Sequence, residues 1–373
     1  LFGILLTTGV YLMFFYTPSV TSAYGDMQKL RTGVGFGQLV RNVHRWSAHL
    51  MVLVVIFHLA RVFFAGAYKR PRQFNWVLGL GLLAITLGFS FTGYLLPWDQ
   101  LSYWAVTVGT SLVNNVPLIG RTLRDLLIGG EQIGQTTLQR FYALHVAVLP
   151  VLLALLLSVH IWRVRKDGFA VKRGGTGAFA EEATELAPPV VLPPEPVTAT
   201  AAASIAAADD GKRVRLLGVV DRETVTAEER LTDDTVFTWP HLLVRHVVVG
   251  LGTAAVVLAL GVLFAAPLRG LANPNLTPAS EKAPWYFVGL QELLSHFDPL
   301  IAGIFVPAGA LTMLALLPYL DRNPATEARR RKVAIVVFTT ILVVAVGLTI
   351  VGELFRGPGW QWIPLWKHSY VEL

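Results

Sequence analysis

Four histidines stand in two widely spaced pairs, His44 with His58 in HRWSAHLMVLVVIFHLAR and His145 with His160 in HVAVLPVLLALLLSVH. Imidazole is the commonest side-chain metal ligand, and inside an apolar run it is costly to leave without a partner. On a helix a spacing of 14 residues returns to within about 40° of the starting face, and one of 15 to within about 60°. Both histidines of a pair therefore point the same way, about 21 to 22 Å apart along the axis, which is most of a hydrocarbon core of about 30 Å. Two such helices side by side present two imidazole pairs, one above the other. A lone intramembrane histidine is ordinarily an interhelical hydrogen-bonding residue; four of them, matched in depth and facing, read as axial ligands of two stacked haems, each iron held from both sides of its plane. His49 provides a contrast, because five residues from His44 turn it about 140° off the ligand face. It is not expected to bind iron.

The elements that position these residues are membrane helices. Apolar residues make up 54% of the 373-residue chain and charged ones 15%, the mean hydropathy is +0.55, and a soluble domain carries about 25% charge. The net charge of +7 does not argue for nucleic acid, because the basic residues fall in short loops beside apolar runs. There is no cysteine, which excludes disulfides and cysteine-ligated iron-sulfur clusters within these residues.

Seven apolar spans are expected: A at 1–16, B at 43–65, C at 75–96, D at 141–162, E at 242–264, F at 300–320 and G at 333–355. Span A is short for a bilayer and the chain starts at Leu1, so a missing N-terminal segment is expected. The fold class expected is an all-α polytopic membrane protein, a four-helix bundle around the haems with three further spans alongside. Residues 1–166 form the first domain, 167–238 an irregular, cytoplasmic, Ala/Pro/Thr/Glu-rich linker, and 239–373 the second domain.

Basic residues set the orientation. Arg61, Lys69, Arg70 and Arg72 lie between B and C; Arg163, Arg165, Lys166, Lys172 and Arg173 follow D; Arg322, Arg329, Arg330, Arg331 and Lys332 join F to G. The longer A–B, C–D and E–F connections hold only eight Lys and Arg, so the first set marks the cytoplasmic, negative side. Spans B and D are then parallel. His44 is level with His145 near the positive side, and His58 with His160 near the negative side. Gly79 and Gly93 repeat the 14-residue interval on span C, and with Gly9 on span A they offer either haem clearance or ordinary small-residue packing. Arg41 and Arg61, each three residues outside a histidine, are either propionate partners or snorkelling interface residues.

RNVHRWSAHLMVLVVIFHLARVF, FTGYLLPWDQLSYWAV and RFYALHVAVLP resemble cytochrome b of the Rieske/cytochrome b complexes, and the 15-residue interval of the second pair resembles the plastid-type branch. From about FTWPHLL onward the chain resembles the three-span subunit that is a separate chain in plastids, here fused through the linker. The resemblance implies a quinol:cytochrome c oxidoreductase subunit of the respiratory type. In such a subunit quinol is oxidised on the positive side. One electron goes to a Rieske iron-sulfur protein and the other crosses through two b haems to quinone on the negative side, with proton translocation. It also implies a c-type cytochrome partner, a homodimer, lipid contacts, a bacterial inner-membrane location and, for the plastid-type branch, a third haem held covalently before Leu1.

In the family a Pro-Glu-Trp-Tyr motif lines the quinol site. The matching run here is Ala283-Pro284-Trp285-Tyr286-Phe287, with Pro284 where the proton-accepting glutamate stands. Glu281 or Glu292 is a candidate substitute, the alternative being two solvated acids with water carrying the proton. Trp285, Tyr286 and Phe287 are expected to line the pocket, with Trp104 as a further candidate. Arg165, Arg245 and His246 are candidates for the negative-side quinone site, or interface anchors. SLVNNVPLIG and RTLRDLLIGG are expected to form short surface helices where the Rieske domain docks. Two rival readings are a di-haem, quinone-reactive anchor of a dehydrogenase or hydrogenase, and a proton-relay transporter subunit.

Overall fold

The computed structural model describes residues 1–168, 238–278, 282–323, 325–364 and 366. Leu1–Ala170 with Gly250–Leu373 form one compact unit and Val171–Val249 a second. Most of the expected linker lies outside the described residues, as does Glu281.

Among the described residues the chain is helical, with two isolated β-bridges. The first part consists of α1 (Phe2–Met13), α2 (Ala23–Thr32), α3 (Gly37–Phe64), α4 (Gln73–Leu95), α5 (Gln100–Val113), α6 (Gly120–Ile128), α7 (Gln135–Ala143) and α8 (Leu149–Asp167). The second part has α9 (Leu243–Leu263), α10 (Trp285–Leu294), α11 (Val306–Leu320) and α12 (Lys332–Leu354). Six helical stretches are long and apolar enough to cross a membrane: Gly37–Phe64, Gln73–Leu95, Gln135–Asp167, Trp239–Leu263, Ile301–Leu320 and Lys332–Leu354. Phe2–Met13 is apolar but shorter. These six coincide with the expected spans B to G to within a few residues at most ends, Gly37–Phe64 and Gln135–Asp167 running past their apolar runs into polar ends. Apolar side chains such as Val336 and Val343, both 62% exposed, form the lipid-facing surface such helices need.

Helix α1 packs on α3, α3 on α4, and α4 on α8 and α11. Helices α7 and α8 form one span through a π-turn at Leu144–Val148. Pro150 lies two residues beyond it; proline lacks the amide that would bond four residues back and its ring crowds that carbonyl, and a π-turn relieves both defects. The same device precedes Pro307, at Ile301–Phe305.

Two polar latches hold the ends of the bundle. Asp99 caps α5 through Ser102 and accepts a 2.9 Å bond from the Arg269 amide, while the Gln100 amide bonds the Gly270 carbonyl at 2.8 Å. The C–D and E–F connections therefore meet. At the other end Arg331, 2% exposed, donates to the Tyr68 hydroxyl and to the Phe63 and Phe64 carbonyls. Tyr68 donates to Asp321 at 2.5 Å, and Lys69 pairs with Asp321 at 3.0 Å. There the B–C and F–G connections meet, as expected from their basic residues. Of the two expected surface helices, RTLRDLLIGG largely forms α6; SLVNNVPLIG is mostly the turn after α5, which begins earlier, at Gln100.

Candidate functional site

His44 faces His145 with ring centroids 6.4 Å apart, and His58 faces His160 at 6.5 Å. An ion held at about 2.0–2.1 Å by one nitrogen of each ring would set the ring centres roughly 6 Å apart, so both gaps fit a metal bound from two sides. Among the described residues no group of three or more His, Cys, Asp or Glu gathers. These are two-ligand sites, the donor number a haem leaves to the protein.

The π-turn accounts for the unequal intervals. It includes His145 and takes up one residue more than an α-turn, so that 15 residues restore the phase that 14 give on α3. Both ring pairs then meet edge-on, at interplanar angles of 68° and 74°.

Two hydroxyls fix the tautomers at the His44–His145 level. Thr8 Oγ1 donates to the Ile4 carbonyl at 2.6 Å, and Thr92 Oγ1 to the Gly88 carbonyl at 2.8 Å. With its proton committed, each hydroxyl oxygen accepts from an imidazole: Thr8 from His44 Nδ1 at 2.9 Å and Thr92 from His145 Nδ1 at 3.2 Å. The ring protons sit on Nδ1 and Nε2 is left as a lone-pair donor, the form a metal ligand needs. Sequence reasoning passed over both threonines, although each immediately precedes a glycine singled out for clearance, in Thr8-Gly9 and Thr92-Gly93.

Those glycines clear the imidazoles. A Cβ at Gly93 would come within 2.5 Å of His145 Cε1, one at Gly9 within 3.3 Å of His44 Cε1, and one at Gly79 within 3.6 Å of His160 Cε1. At these three positions the helix backbone approaches the imidazole ring itself.

Helix α10 starts on Pro284, whose carbonyl accepts the amides of Phe287 and Val288. Its first turn meets α3: the Trp285 indole donates to His49 Nδ1 at 3.0 Å and the Tyr286 ring lies 5.6 Å from that of His49. Tyr286 also bonds Ser90 on α4, and Phe287 stacks edge-on against Tyr286. Burial pushes the Tyr286 phenol above its ordinary value, so it stays protonated at neutral pH.

The sequence profile described as "Cytochrome b/b6/petB" matches residues 1–168, and that described as "Cytochrome b(C-terminal)/b6/petD" matches residues 271–369. A cytochrome b6 from a Synechococcus strain is 48% identical over 169 residues, which are 45% of this chain and 78% of that one. One from Prochlorococcus marinus is 47% identical over the same length and shares. This chain belongs to the cytochrome b family. Among solved structures, one titled "Hyperthermophilic respiratory Complex III" superposes with a TM-score of 0.71 at 24% identity, over 94% of this chain and 80% of that one, and shares the fold. As a cytochrome b, the chain is a b-haem subunit of a quinol-oxidising electron-transfer complex.

In this cytochrome b several expected site residues have other occupations. Arg41, 7% exposed, donates to the carbonyls of Ala266 and Pro267 at 2.8 and 2.7 Å. It ties α3 to the chain just beyond α9. Glu292, 1% exposed, accepts from Arg356 at 2.9 and 2.6 Å, from Trp360 at 2.9 Å, and shares a 2.9 Å bond with His296. Burial pushes its carboxyl up, but the hydrogen bonds of Arg356, His296 and Trp360 outweigh this and hold it below the usual carboxylate range. A carboxylate so engaged is a poor proton acceptor, and it anchors α10 to the chain beyond α12. Trp104 sits with Trp98, Tyr103 and Phe141 in the α5 core. Arg61 and Arg165 are exposed, three residues beyond His58 and five residues beyond His160 respectively. Arg245 and His246 are exposed in the first turn of α9.

Proposed function

We propose that His44 and His145 ligate one b haem and His58 and His160 the other, and that the chain passes electrons between them across the membrane. The observation that carries this reading is the pair of facing imidazole gaps, with Nε2 left free by Thr8 and Thr92 at one level. When bound, the haems supply one-electron carriers at two depths. The chain holds their irons, fixes the ligand tautomers and excludes water with its apolar spans. Quinol is oxidised at the face formed by Trp285, Tyr286 and Phe287. One electron passes to a Rieske iron-sulfur protein that docks near α5 and α6 and onward to a c-type cytochrome. The other crosses to quinone on the negative side, with proton translocation, which makes the activity quinol:cytochrome c oxidoreductase.

The complex is a homodimer in a bacterial inner membrane, and the domains divide at 1–166, 167–238 and 239–373. Arg61 remains placed for a propionate of the second haem. A potentiometric titration of the purified complex with a covalent-haem stain tests the reading. Two b-type components at separate midpoints and a co-purifying Rieske protein are expected. Absence of b-type absorption overturns it, and two b haems without a Rieske protein would favour a dehydrogenase anchor.

A further inference from the structure

His49 lies five residues beyond His44 on α3, off the ligand face, and it meets the first turn of α10 instead. An indole nitrogen can only donate. The imidazole nitrogen facing Trp285 is therefore unprotonated, and the neutral ring carries its proton on Nε2. That nitrogen has no hydrogen-bond partner among the described residues, and it is not sealed from solvent. An N–H donor in an apolar span is costly without an acceptor. Aromatic rings surround it: the Tyr286 ring at 5.6 Å, the Trp46 ring at 5.6 Å, and Arg45 one turn earlier over the Tyr94 ring at 5.9 Å. Pro284 brings no polar side chain to this face, Glu292 is engaged by Arg356, and the face still needs a group that addresses a quinol oxygen.

We propose that His49 is that group: its Nε2–H, oriented by the Trp285 indole, hydrogen-bonds an oxygen of the quinol bound against Trp285 and Tyr286. This rests on quinol oxidation at the α10 face. The ring thereby holds the quinol oxygen in place against the α10 face.

The test uses the complete complex carrying His49→Ala, His49→Gln or Tyr286→Leu, with decylubiquinol and menadiol as probes and haem b spectra as the control for folding. His49→Ala is expected to lower kcat/KM for quinol about tenfold, the size of one hydrogen bond, with both haem spectra intact. His49→Gln, which restores an N–H donor, is expected to recover most of that loss. An unchanged kcat/KM in His49→Ala overturns the inference, and so does a His49→Gln variant as impaired as His49→Ala, because the ring would then act only by packing. Tyr286→Leu separates the two levels of the argument. Loss of quinol oxidation there beside an unaffected His49→Ala removes only the role of His49; no loss in either variant removes the α10 face as the quinol site.

Discussion

The two histidine levels are built from the same pair of helices yet differ in how they are supported. At the His44–His145 level both rings give Nδ1–H to a threonine whose own proton is tied to its helix, and glycines press on both rings. At the His58–His160 level one glycine stands off at 3.6 Å, and His160 Nδ1 is buried without a hydrogen-bond partner among the described residues. A ligand imidazole that gives its Nδ1–H to an oxygen is a stronger electron donor to iron, which favours the oxidised metal. With haems ligated as proposed, the difference would lower the potential of the first level relative to the second and set a downhill direction from His44–His145 to His58–His160.

Removing a ligand breaks the comparison most completely. His145→Ala is expected to abolish one b-type component and His160→Ala the other, each seen as half the reduced-minus-oxidised absorbance. Loss of both components from a single substitution would mean that the levels are not independent. Filling the cradles separates them by packing. Gly93→Ala puts a methyl 2.5 Å from His145 and should cost about 1–3 kcal/mol, the usual price of overpacking, with a displaced spectrum for that haem. Gly79→Ala, at 3.6 Å, should leave both haems unchanged.

The threonines sharpen the electronic side of the comparison. Thr8→Val or Thr92→Val should raise the midpoint of the first haem alone, since a bond of about 1 kcal/mol corresponds to roughly 40 mV in a one-electron couple. A shift of equal size at both haems in a redox titration would count against the asymmetry. The smallest effect is expected from Arg61→Gln near His58. Removing an exposed positive charge should lower the second midpoint slightly, and the shift should fade as salt shortens the reach of the charge to about 10 Å at 0.1 M.

Much of this was legible from residue spacing. The apolar runs are long enough to dictate spans, and the basic residues of Arg61–Arg72 and Arg322–Lys332 predicted which connections share an end. The histidine intervals implied two matched levels. What spacing could not give was how polar groups divide among neighbours. Arg41 finds carbonyls 225 and 226 residues away, and Glu292 finds Arg356 and Trp360 on a segment 64 and 68 residues later. The same holds for the threonines: their usefulness depends on which helix stands beside α3 and α8.

By itself the sequence determined the helices, their depth and the levels of the four histidines, because hydrophobic length and the period of a helix are local properties of a chain. Only the tertiary structure decided which imidazole nitrogen is free, which acid is engaged in an ion pair, and that His49 turns toward Trp285. Hydrogen bonds act over a few ångströms between groups distant in sequence, and in an apolar interior each buried polar group takes whichever partner packing brings within reach.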